Sequence, residues 1–357
     1  MSVGKLLVAF MAICCLAILI VGCAGNKGPD GPPGYPGDDG PPGQNRVADP
    51  ISDRTFGILI ANGSASDLVG APRVRLTSDT TATPSDSVVV ARVAAKSPII
   101  DGVDGVGEWG APASTITLDS IAGYYNGIAA ATVRVAYDRS YVYMQVMWTE
   151  VAKGEEPAAG SFTTGADITK GMWTYTSSGS HWSQSGGEDL LYVAWEITAI
   201  TGWSAKGVDA VFDGVEFRAP VSGEKADLWA WLATQTNYTG YLADKVVGYA
   251  ASGDGSSFDM GPAPMFVLAN LDTLGRPKYM KSGSTTSGSS YPLRSYEFTK
   301  FNTAIKWQNG ATIPGYVSFV PSGSLADVQV GAGFSGDTWT VELRRLRETG
   351  NADDAKF

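Results

Sequence analysis

The three cysteines of this 357-residue chain, Cys14, Cys15 and Cys23, all lie near its beginning. The long remainder therefore cannot form a disulfide, and it cannot bind zinc or an iron–sulfur cluster through thiolates. It also lacks the Cys-x-x-Cys-His motif that attaches c-type haem covalently. The roughly 300 residues beyond the amino-terminal region are ample for one large domain, which has to fold without covalent cross-links.

Residues 1–22 have the order of a bacterial lipoprotein signal, with Lys5, an apolar run from Leu6 to Val21, and a small residue before Cys23. The apolar run is too short to be a comfortable membrane-spanning helix. We predict that residues 1–22 are removed and that Cys23 is lipidated. An uncleaved membrane anchor is the alternative, and both place the remainder outside the cytoplasm. No aspartate follows Cys23, which favours the outer membrane or cell surface of a bacterium.

Residues 23–45 contain glycine at every third position from Gly25 to Gly43, with proline in many of the positions between. This is the collagen pattern, in which only glycine fits the crowded axis of three chains. Two arrangements remain open for this stalk. A single extended chain would span roughly 65 Å at about 3.1 Å per residue, whereas three chains would assemble as a homotrimer.

The rest of the chain has the composition of a β-rich globular protein. We divide it into lead-in strands and a linker at residues 46–86 and a main domain at residues 87–357. Regularly spaced strands without helical crossovers predict an antiparallel β-sandwich. Only Glu224–Thr234 and Leu242–Val247 indicate short helices. The predicted strands are Thr55–Asn62, Arg73–Leu76, Ser87–Ala94, Ala131–Tyr137, Tyr141–Trp148, Leu190–Ile197, Gly315–Val320, Val328–Val330 and Thr338–Leu343.

The composition restricts the chemistry that this domain can perform. His181 is the only histidine, and its surroundings do not resemble a nucleophile elbow. The 36 acidic residues against 26 basic ones give a net charge of −10, which argues against binding nucleic acid. We expect no catalytic activity. Large aromatics on strands usually fill a core, and this is the role that we favour for Trp109, Trp148, Trp195, Trp229 and Trp339. A carbohydrate-binding face and a haem pocket also require aromatic residues, and composition does not separate these three roles.

A series of local motifs, ordered along residues 87–357, carries a resemblance to a known family. The first is Ile100–Trp109, followed by the hairpin of Val133–Asp138 and Val142–Glu150. The later motifs are Glu188–Leu191, Ala226–Trp231, Gly240–Asp244, Gly275–Met280, Trp307–Gly310, Ile313–Gly315, Trp339–Arg345 and Asp353–Phe357. In this order they resemble the ethylbenzene dehydrogenase-related haem-binding domain, a relative of family 9 carbohydrate-binding modules.

The resemblance implies a β-sandwich that holds one haem b without a covalent bond, with methionine and lysine as axial ligands. Met147 and Met144 lie on opposite faces of a predicted strand, and Met147 has the more polar neighbours, so we rank it first. Lys278 is our candidate lysine, with Met280 and His181 as reserves. Some relatives attach haem through cysteine and histidine, but Thr198–Lys225 contains neither residue.

As implied by the resemblance, the leading hypothesis is an anchored electron carrier, and its partner would be a molybdenum enzyme or a multihaem cytochrome. Two haem-free alternatives remain open. One is a carbohydrate-binding module on the cell surface, in which Asp101 or Asp104 would help to hold a structural calcium ion. The other is a purely structural lipoprotein.

Overall fold

The computed structural model describes residues 48–62, 68–121, 127–150, 171–184, 188–259 and 267–357. All of them belong to one unit that extends from Asn45 to Phe357. The signal segment, the lipidation site Cys23 and the collagen-like stalk lie outside the described residues, so the predictions made for them stay predictions.

The described residues are mainly β-structure, with a single turn of α-helix, α1, and two short 3-10 helices, Gly207–Ala210 and Gly323–Ala326. The elements are, in chain order, β1 Arg54–Ala61, β2 Leu68–Thr77, β3 Val88–Val90, β4 Arg92–Val93, β5 Ser114–Thr117, β6 Asp119–Ser120, β7 Ala130–Tyr137, β8 Tyr141–Thr149, β9 Met172–Thr176, β10 His181–Gln184, β11 Leu190–Glu196, α1 Trp203–Lys206, β12 Ala226–Leu232, β13 Ala243–Val247, β14 Ser256–Phe258, β15 Val267–Ala269, β16 Tyr279–Lys281, β17 Phe298–Lys300, β18 Thr312–Pro314, β19 Tyr316–Ser318, β20 Val328–Ser335 and β21 Thr338–Leu346.

Two large sheets enclose the main core. The first has the order β14-β13-β12-β11-β1-β2-β3, with β6 beside β2, and the second has the order β20-β21-β8-β7-β4, with β5 beside β7. Alternate side chains of β1, β2, β11 and β12 meet those of β7, β8, β20 and β21 in one continuous cluster. This confirms the predicted sandwich, because both sheets bury one face against the other.

The strands β1 and β2 are part of this sandwich. We predicted residues 46–86 as a lead-in before a domain that begins near Ser87. In the structure, β1 lies in the middle of the first sheet, hydrogen-bonded to β11 on one side and β2 on the other. The amino-terminal strands therefore contribute central core residues, among them the fully buried Phe56, Ile58 and Ile60.

The predicted strand Ser87–Ala94 is divided between the two sheets. Its first part, β3, pairs in parallel with β2, and its second part, β4, pairs in parallel with β7. Ala91, which is 1% exposed, lies at the crossing point. The other paired strands among the described residues are antiparallel.

The two predicted helices are wrong. The segment Glu224–Thr234 forms β12, which pairs with β11, and Leu242–Val247 forms β13, which pairs with β12. The reason is that this part of the first sheet is buried on both faces, since α1 and the loop after it cover the side away from the sandwich core. A strand buried on both faces loses the alternation of polar and apolar residues that would distinguish it from a short helix.

The predicted core role of the five tryptophans is confirmed. Trp109, Trp148, Trp195, Trp229 and Trp339 are each 1–3% exposed. Trp148 and Trp339 pack with Trp231, with ring centroids 4.7 to 6.3 Å apart. Within the described ranges, no helix has the length and apolar character needed to cross a membrane.

Candidate functional site

The strand β8 places its two methionines on opposite faces. Met144 is 2% exposed and packs in the sandwich core, directly opposite Val135 and Leu343 in the neighbouring strands. Met147 is half-buried on the outer face, opposite Thr132 and Thr340. A ligand could reach the thioether of Met147 without disturbing the core, whereas it could reach Met144 only if the core opened.

Lys278 lies just before β16, and its backbone is held by the buried side chain of Asn270. The Asn270 Oδ1 atom accepts hydrogen bonds from the backbone N–H groups of Lys278, at 3.0 Å, and Tyr279, at 2.7 Å. Its Nδ2 group donates to the carbonyl oxygens of Tyr279, at 3.0 Å, and Pro314, at 2.8 Å. The Asn270 amide therefore uses its full hydrogen-bonding capacity within the protein.

The side chain of Lys278 is exposed, and its Nζ atom lies 5.2 Å from the centroid of the Tyr279 ring. Within the described part of the chain, it forms no ion pair. Local sequence did not indicate Asn270 as a residue that positions Lys278, because the contact depends on the folding of residues 270–279 back on themselves.

Met147 and Lys278 lie in or next to different sheets of the fold. Met147 belongs to the second large sheet, whereas Lys278 precedes a two-stranded sheet formed by β16 and β17. A thioether and an amine are suitable donor types for haem iron, and both side chains are accessible. The donor chemistry thus fits a haem, while the assignment of either residue as an axial ligand stays a prediction.

The reserve ligands lie in a different region. Met280 is 4% exposed, packs with Trp173 and Ile313, and accepts a hydrogen bond from the backbone N–H of Asn302 at 3.3 Å. Its sulfur is therefore already engaged. His181 is exposed on β10, opposite Thr176.

The motif Ile100–Trp109 is organised by Glu342, a buried residue of β21. The Glu342 carboxylate accepts hydrogen bonds from the backbone N–H groups of Asp101, at 3.1 Å, and Gly102, at 2.9 Å. It also accepts from the indole of Trp109, at 3.1 Å, and from the side-chain amide of Gln145, at 3.0 Å. Burial raises the pKa of the Glu342 carboxyl, and the four donors act against that rise.

Gly102 is the residue that lets this loop approach β20 closely. Its φ is +80°, and a Cβ atom there would lie 2.4 Å from the backbone of Ala332 and Gly333. Only glycine combines this backbone conformation with so close a contact.

Asp101 and Asp104 also serve this loop. Asp101 Oδ1 accepts from the backbone N–H of Val103 at 2.9 Å, and Asp104 Oδ1 accepts from Arg134 at 2.9 Å and from Gln145 at 3.2 Å. Among the described residues, neither aspartate belongs to a group of three acidic side chains close enough to share a metal ion. The calcium role of these two residues stays a prediction.

Replacing Glu342 by glutamine is expected to lower the free energy of unfolding by about 2–3 kcal/mol. The Glu342 carboxylate accepts hydrogen bonds from buried N–H groups. The NH2 group of glutamine cannot accept them, so buried N–H groups would be left unpaired. Chemical denaturation measures the change, and proteolysis should become faster within Ile100–Trp109. Glu348→Gln, at an exposed position six residues along, is the matched control. A Glu342→Gln protein as stable as this control would contradict the structural role of the carboxylate.

A family model described as ethylbenzene dehydrogenase matches residues 111–357. The matched segment begins just after Trp109 and includes β5 to β21, and therefore Met147, Lys278 and Glu342. No curated protein matches the chain.

Proposed function

We propose that this chain, which belongs to the ethylbenzene dehydrogenase family, binds haem b and transfers electrons. It would act outside the cytoplasm, anchored to a membrane through Cys23. The observation that carries the proposal is the family match over residues 111–357. Haem-binding subunits that associate with a molybdenum enzyme occur in this family. By that relationship, the partner is a molybdenum enzyme or a multihaem cytochrome.

Met147 and Lys278 are the side chains proposed to hold the iron. A bound haem supplies one-electron chemistry, and its potential depends on the axial ligands and on burial. The thioether of Met147 would favour the ferrous state of such a haem. The amine of Lys278 has to lose its proton to coordinate iron, which burial beneath a bound haem would assist. Asn270 is a positioning residue in this proposal because its side chain binds the backbone N–H groups of Lys278 and Tyr279.

We propose no catalytic reaction for this chain. An electron carrier needs an iron close to the protein surface and a partner that docks there. Met147 is half-buried on the outer face of its sheet, and Lys278 is exposed. Lipidation at Cys23 and the stalk of residues 23–45 would hold the domain at a distance from the outer membrane or cell surface.

A haem titration followed by absorption spectroscopy tests this function. We expect a Soret band that saturates at one haem per chain. Met147→Ala and Lys278→Ala should each lower haem affinity at least about tenfold, which corresponds to the loss of about 1.4 kcal/mol of ligation energy, and should shift the spectrum towards a high-spin form.

Two variants are matched controls for this titration. Met144→Leu keeps the volume of a core residue, and Lys300→Ala removes an exposed lysine of β17. Both should bind haem as the unmodified chain does. The absence of a Soret band, or unchanged spectra in both Met147→Ala and Lys278→Ala, would refute the function as proposed.

A haem-free carbohydrate-binding protein is the second candidate. One observation favours it, namely a half-buried group of aromatic side chains formed by Tyr175, Trp182, Phe301 and Trp307. The rings of Trp182 and Trp307 are 5.3 Å apart, and those of Phe301 and Trp307 are stacked at 5.7 Å. Retention of a colourless protein on a polysaccharide, lost in Trp182→Ala, would support this candidate over the first.

A further inference from the structure

A group of aspartates is buried where the first large sheet meets the carboxyl-terminal segment. Asp227 of β12 and Asp244 of β13 are 0% exposed, and Asp259, just after β14, and Asp354 are each 3% exposed. Carboxylate oxygens of Asp227, Asp244 and Asp354 lie within 4.8 Å of one another. A second set, Asp259, Asp353 and Asp354, meets the same limit, so that Asp354 is common to both.

One buried cation accompanies these carboxylates. Arg345 of β21 is 1% exposed, donates to Asp227, and lies 3.7 Å from an oxygen of Asp354. Its guanidinium also donates to the backbone carbonyl of Ala355. Four ionised aspartates would exceed the charge of the Arg345 guanidinium by three, and the half-buried Arg54, which interacts electrostatically with Asp227, would offset only part of this excess. Buried charge of this kind is strongly unfavourable unless another cation balances it.

The carboxylate of Asp244 is buried, and neither of its oxygens has a hydrogen-bond partner among the described residues. Four further carboxylate oxygens are buried without a hydrogen-bond donor in the described part of the chain: both oxygens of Asp259, Oδ1 of Asp227 and Oδ1 of Asp354. Buried polar atoms are almost always paired, and an ordered water molecule or an ion is the usual partner of buried acceptors that have no protein donor.

The titration behaviour agrees with this geometry. Burial is the main cause that raises the pKa of Asp259 to about 9 and that of Asp227 to about 6, and the neighbouring aspartates add to both shifts. The same causes raise the pKa of Asp244 well above its ordinary value. The Arg345 guanidinium acts in the opposite direction and lowers the pKa of all three carboxyls.

We propose that this group binds a divalent cation of the calcium class, with Asp354 as the shared ligand, Asp244 on one side and Asp259 on the other. Each of the two sets offers three carboxylate ligands, and Asp354 is common to both. Carboxylate oxygens are the ligand type that calcium takes, and backbone carbonyls or water molecules complete its shell of six to eight oxygens. The group contains no nitrogen or sulfur donor that would favour zinc. Such an ion would tie the carboxyl-terminal segment to β13, and it is independent of the haem proposal.

Calcium titration of the EDTA-treated 357-residue chain tests the site. We expect binding by calorimetry, and 1 mM CaCl2 should raise the melting temperature by about 4 °C, as a ligand at about 100 times its Kd does for a domain of this size. MgCl2 at the same concentration should give a smaller rise. An equal rise with magnesium would overturn the assignment to calcium.

Asp244→Asn and Asp259→Asn are the diagnostic variants. Each removes one charge without changing the side-chain volume, and each should lower calcium affinity at least about tenfold. In EDTA, Asp244→Asn should melt no lower than the unmodified chain, because it removes a buried charge, and this shows that the variant is folded. Asp119→Asn, at an exposed position in β6, is the control and should bind calcium normally. No binding by the unmodified chain, or full affinity in both diagnostic variants, would overturn the proposal.

Discussion

Replacing Arg345 by methionine is expected to lower the free energy of unfolding by about 3–5 kcal/mol, because it leaves buried carboxylates without their cation. Arg345 donates to Asp227 and to the carbonyl oxygen of Ala355, and both contacts are buried. Its guanidinium also lies 5.3 Å from the ring centroid of Trp229 and 5.5 Å from that of Phe357. Methionine keeps much of the packing and removes the charge, so the loss reports on the ion pair.

Equilibrium denaturation in EDTA measures this change without the contribution of a bound metal ion. The matched control is Arg139→Met, an exposed position in the turn between β7 and β8, which should change stability by less than about 0.5 kcal/mol. Combining Arg345→Met with Asp227→Asn should restore part of the loss, since the asparagine can still accept the hydrogen bond from the Ala355 N–H group. A single Arg345→Met variant as stable as the control would show that Arg345 does not balance the buried aspartates.

Replacing Asn270 by leucine is expected to cost about 3–5 kcal/mol. The change keeps a similar volume but deprives two N–H groups and two carbonyl oxygens of their partner, and each unpaired buried group costs about 1–3 kcal/mol. Partial relaxation of the loop keeps the total below the simple sum. Because the lost bonds hold Lys278 and Tyr279, the effect should be concentrated in β16 and the residues before it.

Denaturation gives the overall change, and hydrogen exchange locates it, with loss of protection expected at the Lys278 and Tyr279 amides. Asn302→Leu is the control, since Asn302 is exposed and, among the described residues, its side chain accepts a hydrogen bond from the Ala304 N–H group alone. If the proposed lysine ligation is right, Asn270→Leu should also weaken haem binding, whereas Asn302→Leu should not. Unchanged protection at these two amides would contradict the assigned role of Asn270.

The sequence predicted the second large sheet well. The strands β7, β8 and β21 were expected within a few residues of their observed limits, because one face of each is buried and the alternation of side chains is visible. The sequence pattern wrongly predicted helices at β12 and β13, because burial on both faces removes that alternation. It also could not show that β1 joins the middle of the first sheet, since the pairing with β11 connects residues more than a hundred positions apart.

The candidate site was predictable in part. The period of two along β8 was enough to place Met144 and Met147 on opposite faces. It gave no information on where Lys278 lies relative to either methionine. Glu342 and Asn270 were not expected, because neither has a local motif that distinguishes it from other polar residues. Their importance comes from the donors and acceptors that the fold brings to them.

Local features of the amino-acid sequence were sufficient to predict the β-rich class and the core role of the tryptophans. They also showed that the body of the chain has no cysteine to form a disulfide. These properties depend on residue type and on the spacing of neighbours, both of which can be seen in the linear chain. The tertiary structure was needed for every buried polar contact: Glu342 meets Asp101 across 241 positions, and Arg345 meets Asp227 across 118. Strand order and register determine such contacts. The packing of the whole core determines the strand order and register.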